Sequence, residues 1–168
     1  MNTKIQKEIA RRNKLFAGKT PSQQRVLIAK DIIQLLKMGK LRATSDYLNH
    51  PVRRYNRAKE GKPAQIELLT TKEPCACCAK GAIFVSYIMN KNEITIGWDF
   101  EAAFQRVKEN TFATGISHIF PPEMLREIEN HYEGFYYKAT FVHKYPEKTK
   151  RLGAIMNNII KNKGEFIP

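Results

Sequence analysis

Residues 70–90 read TTKEPCACCAKGAIFVSYIMN, and this stretch decides the fold. Glu73 and Pro74 halt whatever precedes them. All three cysteines, Cys75, Cys77 and Cys78, then fall within four residues. Behind them Ala82, Ile83, Phe84, Val85, Tyr87, Ile88 and Met89 form the most apolar segment of the chain. Proline and small residues suit a first helical turn. The pattern predicts a buried helix from about Cys75 or Cys78 to Met89, its N-terminus offering unpaired N–H groups, a positive dipole end and the cysteines.

Working outward, Gln23 to Met38 is the strongest helical pattern. Val26, Ala29, Ile33 and Leu36 share one stripe, widened by Ile28, Ile32 and Leu35. Thr20 or Ser22 can cap it, Pro21 suits its first turn, and Gly39 can stop it. Arg25, Lys30 and Lys37 are expected on its polar side. Thr3 to Phe16 is a short basic helix or a mobile arm. Residues 40–62 read as irregular, 66–69 as a short strand or helix tail, and 93–97 as a short strand. Phe100, Ala103, Phe104 and Val107 repeat at helical spacing, and Thr111 to Ser117 reads as a loop. Pro121 and Pro122 open a helix that Gly134 ends. Phe135 to Val142, aromatic and β-branched, suggests an edge strand or extended connection. Glu147 to Lys161 closes the set with Leu152, Ile155, Met156, Ile159 and Ile160 on its apolar face. The fold class expected is mainly α, α+β at most. One domain spans 1–168, with 1–19 a basic helix or arm. Five or six helices surround a central helix at 78–89, with two or three short strands.

The chain has 168 residues, enough for one domain with a real core. No apolar run approaches the roughly 20 residues needed to cross a bilayer, so no membrane partner is expected. The N-terminus lacks the apolar core of a secretory signal. Clustered cysteines in odd number, without such a signal, point to reduced thiols in a cytosol and so to a cytoplasmic location.

Charge is unevenly spread. The whole chain carries +13, and residues 1–63 hold 16 Lys and Arg against 4 Asp and Glu. Residues 64–168 hold 13 against 12. A one-sided excess of this size attracts anions. Within it, Arg53, Arg54 and Arg57 surround Tyr55. Arginine forks grip phosphates and tyrosine stacks on bases; the plain alternative is a solvated loop with tyrosine as a lid. Lys80, in the Ala79-Lys80-Gly81 turn, adds charge where helix amides would approach a phosphate.

Other chemistry has weaker footing. Cys75 and Cys78 have the C-x-x-C spacing that lets two thiolates share zinc, but no second pair exists, and His50, His118, His131 and His143 are scattered. Two or three of the cysteines with one remote histidine would still make a zinc site, but the leading expectation is no metal or other cofactor. A thiolate at a helix start near Lys72 or Lys80 would need a base, and His118 or His143 is the candidate. Buried, inert thiols are the plain alternative. Phosphate-loop and dinucleotide glycine motifs are absent. Glu127 and Glu129, two apart on a helix, face away from each other and are no acid–base pair.

Three blocks, RVLIAKDIIQLLKMGKLRAT at 25–44, CACCAKGAIFVSYI at 75–88 and RLGAIMNNIIKNKGEFIP at 151–168, together resemble an uncharacterised family of small phage- and prophage-encoded proteins. The shared pattern runs RVxIAKD, CxxCAxGA, RLxAIMxNI and a terminal GxF; Cys77 and Lys80 depart from its commoner form. The resemblance implies an origin, a viral protein acting inside a bacterium, and no activity or site residue. The function expected is a non-enzymatic phage protein that binds an anionic nucleotide-type ligand, sequestering a host defence signal, as a monomer or homo-oligomer. Arg53, Arg54, Arg57, Tyr55 and Lys80 are the expected contacts. The alternatives are a DNA- or RNA-binding protein using the basic N-terminal third, and a Cys- or metal-dependent enzyme.

Overall fold

The computed structural model describes residues 3–49, 59–91, 94–97, 100–103, 105, 115–135 and 138–168. Its helices are α1 (Thr3–Phe16), α2 (Pro21–Lys37), α3 (Ala64–Thr70), α4 (Ala79–Asn90), α5 (Gly115–Ile119), α6 (Pro122–Glu133), α7 (Thr140–Lys144) and α8 (Lys148–Lys161). Three short strands join them: β1 (Leu41–Ala43), β2 (Leu48–Asn49) and β3 (Cys75–Cys77). Helical backbone also runs at 100–103 and 105. The domain is mainly α, as expected, and α4 is its axis.

Every residue of α4 is buried. A helix that is apolar on all sides must be enclosed on all sides, and α1, α2, α3 and α6 pack around it. Ile83, Phe84 and Ile88 are fully inaccessible, each burial contributing roughly 1.5–3 kcal/mol. Cys78 stands in an extended conformation immediately before the helix. Of the two starts expected, the later one is correct: Cys75–Cys77 is a strand and not the first helical turn. That strand is central to the sheet. β1 pairs with it in parallel, Leu41 opposite Cys75, and β2 pairs antiparallel, Leu48 opposite Cys77.

The sequence signals at the ends of α2 act as read. Thr20 and Gln23 form a reciprocal capping box, Pro21 occupies the first turn, and Gly39 adopts φ +65° beyond the end. α2 packs most extensively against α8, whose Leu152, Ile155, Met156 and Ile159 are buried. Gly134 ends α6 in the left-handed region.

Several expectations need correction. Residues 140–144 form a short helix, where β-branched and aromatic composition suggested a strand; packing of α7 on α6 and α8 overrides that local preference. Of the two readings of 66–69, the helix tail is the one that holds, within α3, whereas 115–117 belong to helix α5 and not to a loop. At 93–97 the described part is an isolated bridge between Thr95 and Pro63. Arg25 is not on the polar side of α2 but is 6% exposed. Its Nη1 donates to the Ile119 carbonyl at 2.6 Å, its Nε to the Gly164 carbonyl, and its Nη2 to the Glu165 carboxylate. A buried guanidinium with all its partners supplied is a structural clamp.

Candidate functional site

The N-terminus of α4 is the first candidate. Cys78 and Lys80 sit here, and the turn after β1 lies over them. The Tyr47 carbonyl oxygen lies 1.7 Å from where a Cβ on Gly81 would stand, so glycine is required for this approach. The turn thus covers the helix start with the chain's own backbone. Lys80, only 1% exposed, donates to Glu129 Oε2 on α6 at 2.7 Å, with its ammonium 5.9 Å from the Tyr47 ring centre. The charge expected to meet a ligand is thus answered by a carboxylate inside the molecule. Close by, Tyr132 donates its hydroxyl to the Thr44 carbonyl at 2.8 Å. Lys148 reaches Ser45 Oγ, and Glu133 Oε2 at 3.3 Å. Glu133 Oε1 is buried and takes no hydrogen bond among the described residues.

The cysteines are buried free thiols. Burial pushes Cys75 up to about 12, against a small opposing effect of Lys40. Burial likewise raises Cys78 to about 11, overriding the Gly81 and Lys80 amides, with Glu133 and Glu129 adding to the rise. Cys77, wholly enclosed, is likewise raised well above the ordinary thiol value by burial. The helix start therefore does not produce a thiolate, because desolvation outweighs the dipole. His118 and His143, the candidate bases, lie exposed on α5 and α7. Cys75 and Cys78, weighed as zinc ligands, gain no further ligand: among the described residues no group of three His, Cys, Asp or Glu could hold a metal ion.

The second candidate is the surface formed by α1, α2 and the turn after α8. Of the three acids in the first 49 residues, Glu8 and Asp31 are already engaged, and Asp46 lies exposed in the turn after β1. Glu8 binds Arg11 and Arg12, and Asp31 binds Arg12 at 2.8 Å. The Arg11 and Arg12 side chains hold the Glu8 carboxyl down at about 2, against the opposing effect of burial. Among the described residues, no ion pair involves Lys7, Lys14, Lys19, Lys30, Lys37 or Lys163. On α1, exposed Lys4, Lys7, Arg11 and Lys14 recur at steps of three and four and make one cationic stripe. Between α2 and the end of α8 lies a hollow of about 370 Å³, walled by Lys19, Lys30 and Lys163 over Val26, Leu27 and Ile160. A smaller hollow of about 130 Å³ between α1 and α2 shares Leu27 and Lys30 with it.

Of the residues singled out from the sequence, Arg53, Arg54, Tyr55 and Arg57 lie outside the described residues. The chain reaches them from Asn49, two residues beyond Tyr47. Of the lysines of the α2 hollow, the sequence places Lys30 on the polar side of α2 but marks none of them as a contact. Lys19 and Lys163 are 144 positions apart, and only the turn after α8 brings them together. Among the described residues no helix is long and apolar enough to cross a membrane. Compared with protein-family models, with curated proteins and with solved structures, the chain matches none.

Proposed function

We propose that the protein is a non-enzymatic binder of an anionic, nucleotide-type ligand, held by its basic first third. The observation that carries this reading is the pattern of ion pairing. The acids Glu8 and Asp31 are spent on Arg11 and Arg12, which leaves lysines facing solvent. A concentrated positive field raises the local concentration of anions and speeds their capture. Arg53, Arg54, Arg57 and Tyr55 are the proposed contacts for phosphate and base, on chemical grounds. Lys80 has its ammonium on Glu129, so its part is to brace the turn from which that segment departs. Raised thiol pKa values speak for binding over cysteine catalysis. The resemblance to phage proteins gives the reading its setting: a small viral protein that sequesters a host signalling nucleotide. Isothermal titration against cyclic dinucleotides and ADP-ribose derivatives tests it. Saturable heat with at least one of them is expected, and silence across the panel removes the proposal.

The cationic stripe on α1 favours one second reading, a nucleic-acid binder. Ten residues of helix span about 15 Å, enough for several phosphates. That reading demands affinity for DNA or RNA that falls steeply with salt, through counterion release.

A further inference from the structure

We propose that the groove between α2 and the end of α8 is a docking site for an acidic amphipathic helix of a partner protein. This is a second site, apart from the Arg53, Arg54, Arg57 and Tyr55 contacts of the nucleotide reading, and it shares Lys19 and Lys30 with the basic surface that reading invokes.

The floor comes first. Val26, Leu27 and Ile160 line the larger hollow with aliphatic surface, and the smaller hollow continues it past Leu27 to Leu15, which is 46% exposed. Apolar surface left open in a concave site calls for an apolar occupant. The rim comes next. Lys19, Lys30 and Lys163 surround that floor, and no carboxylate lines the larger hollow among the described residues. Asp31, in the smaller one, is already bound to Arg12 and Ser86. An occupant must therefore bring both aliphatic side chains and negative charge.

Shape and chemistry then select the occupant. Along α2 the two hollows run from Gln23 to Gln34. Eleven residue steps cover about 17 Å, three turns of a helix lying alongside. A helix presents aliphatic anchors at i, i+3, i+4 and i+7, with carboxylates flanking them. Lysine stems extend the apolar wall while their ammonium groups meet those carboxylates. Nucleic acid fits worse: among the described residues no aromatic ring lines either hollow to stack a base, and a phosphodiester chain has nothing to set on an aliphatic floor. A second copy of this chain carries +13 and is repelled.

The experiment is fluorescence anisotropy with the full chain and three labelled probes. These are a synthetic Glu/Leu amphipathic helix, a scrambled peptide of the same composition, and an oligothymidine of equal charge. The amphipathic helix is expected to bind saturably, about tenfold tighter than the scramble, a difference of about 1.4 kcal/mol. The double variant Lys19→Glu/Lys30→Glu is expected to lose about tenfold in that affinity. Lys37→Glu, a charge reversal outside both hollows, is expected to change it less than about twofold. Circular-dichroism melting confirms that each variant is folded, since all three positions are exposed. The proposal is overturned by any of four results: no saturable peptide binding, equal binding of the scramble, displacement of the peptide by oligothymidine at equal charge, or an equal loss in Lys37→Glu.

Discussion

The hydroxyl of Ser86 on α4 donates to Asp31 Oδ2 on α2 at 2.7 Å. The other carboxylate oxygen accepts from Arg12 on α1 at 2.8 Å, and Asn90 donates to Oδ2 at 3.2 Å. One half-buried carboxylate thus ties three helices together. Removing it leaves Arg12, whose side chain is 9% exposed, with Glu8 as its remaining carboxylate partner and takes the shared acceptor from Ser86 and Asn90; losing charge-assisted hydrogen bonds of this kind costs about 1.5–3 kcal/mol each. Asp31→Ala is therefore expected to lower the urea midpoint strongly, and Ser86→Ala only by the equivalent of about 1 kcal/mol. Equal, small effects from both substitutions would show that Asp31 is not the hub.

Two helical glycines are expected to respond in opposite directions to alanine. At Gly81 the new Cβ meets the Tyr47 oxygen at 1.7 Å and the Cys77 Cβ at 2.7 Å. Backbone cannot give way as a side chain can, so Gly81→Ala should cost about 3 kcal/mol or more. At Gly153, in α8, nothing lies within 4 Å of the new atom. Gly153→Ala should stabilise by about 0.5–1 kcal/mol, the ordinary helical preference. Thermal melts of the two variants should move to opposite sides of the parent.

The thiols should resist alkylation. With Cys78 at about 11 and Cys75 at about 12, roughly one thiol in a thousand or fewer is ionised at pH 8, and the thiolate is the nucleophile. Iodoacetamide followed by mass spectrometry should find the native protein unmodified under conditions that label all three cysteines in urea. Rapid labelling of Cys78 alone would restore the case for a reactive site there.

His131 should make stability fall in mild acid. It is buried, with its ring 5.7 Å from Phe141 and 5.6 Å from Phe166, each edge to face. Burial lowers its pKa from 6.5, with Glu127, 3.9 Å away, opposing. The folded state therefore favours the neutral ring. Above pH 6.5 folded and unfolded rings are both neutral and its contribution is intact; below 6.5 the unfolded ring takes up a proton first and stability declines. Urea midpoints measured downward from pH 7.5 should drop through that window, and His131→Gln should drop less. Parallel curves would assign the acid sensitivity elsewhere.

Much of this architecture is legible in the sequence, because α2, α6 and α8 carry long apolar stripes bounded by Thr20, Pro122, Gly39 and Gly134. The three-residue strand at Cys75–Cys77 is not, since so short a run shows no alternation and adjoins a helix of similar composition. Spacing along α2 puts Arg25 on the surface, because it cannot reveal carbonyls at Ile119 and Gly164, 94 and 139 positions away. Lys80 reads as a ligand contact for the same reason: its partner Glu129 arrives on another helix. The three blocks that resemble phage proteins also acquire a physical role. Arg25 of the first grips Gly164 and Glu165 of the third, and Asp31 of the first holds Ser86 of the second. Arg151 of the third is buried and donates to the carbonyls of Tyr132, Tyr145 and Pro146. In this chain Arg25, Asp31 and Arg151 serve the scaffold, while Lys30 and Lys163 of the same blocks face the groove.

The claim of an anionic ligand is tested most directly by calorimetric titration of cyclic dinucleotides into the parent protein and into Arg53→Ala/Arg54→Ala/Arg57→Ala, at low and physiological salt. The account predicts a saturable heat in the parent that weakens about tenfold or more in the variant, since three charge-assisted contacts go at once. The same affinity in parent and variant, or no heat from either, would contradict it.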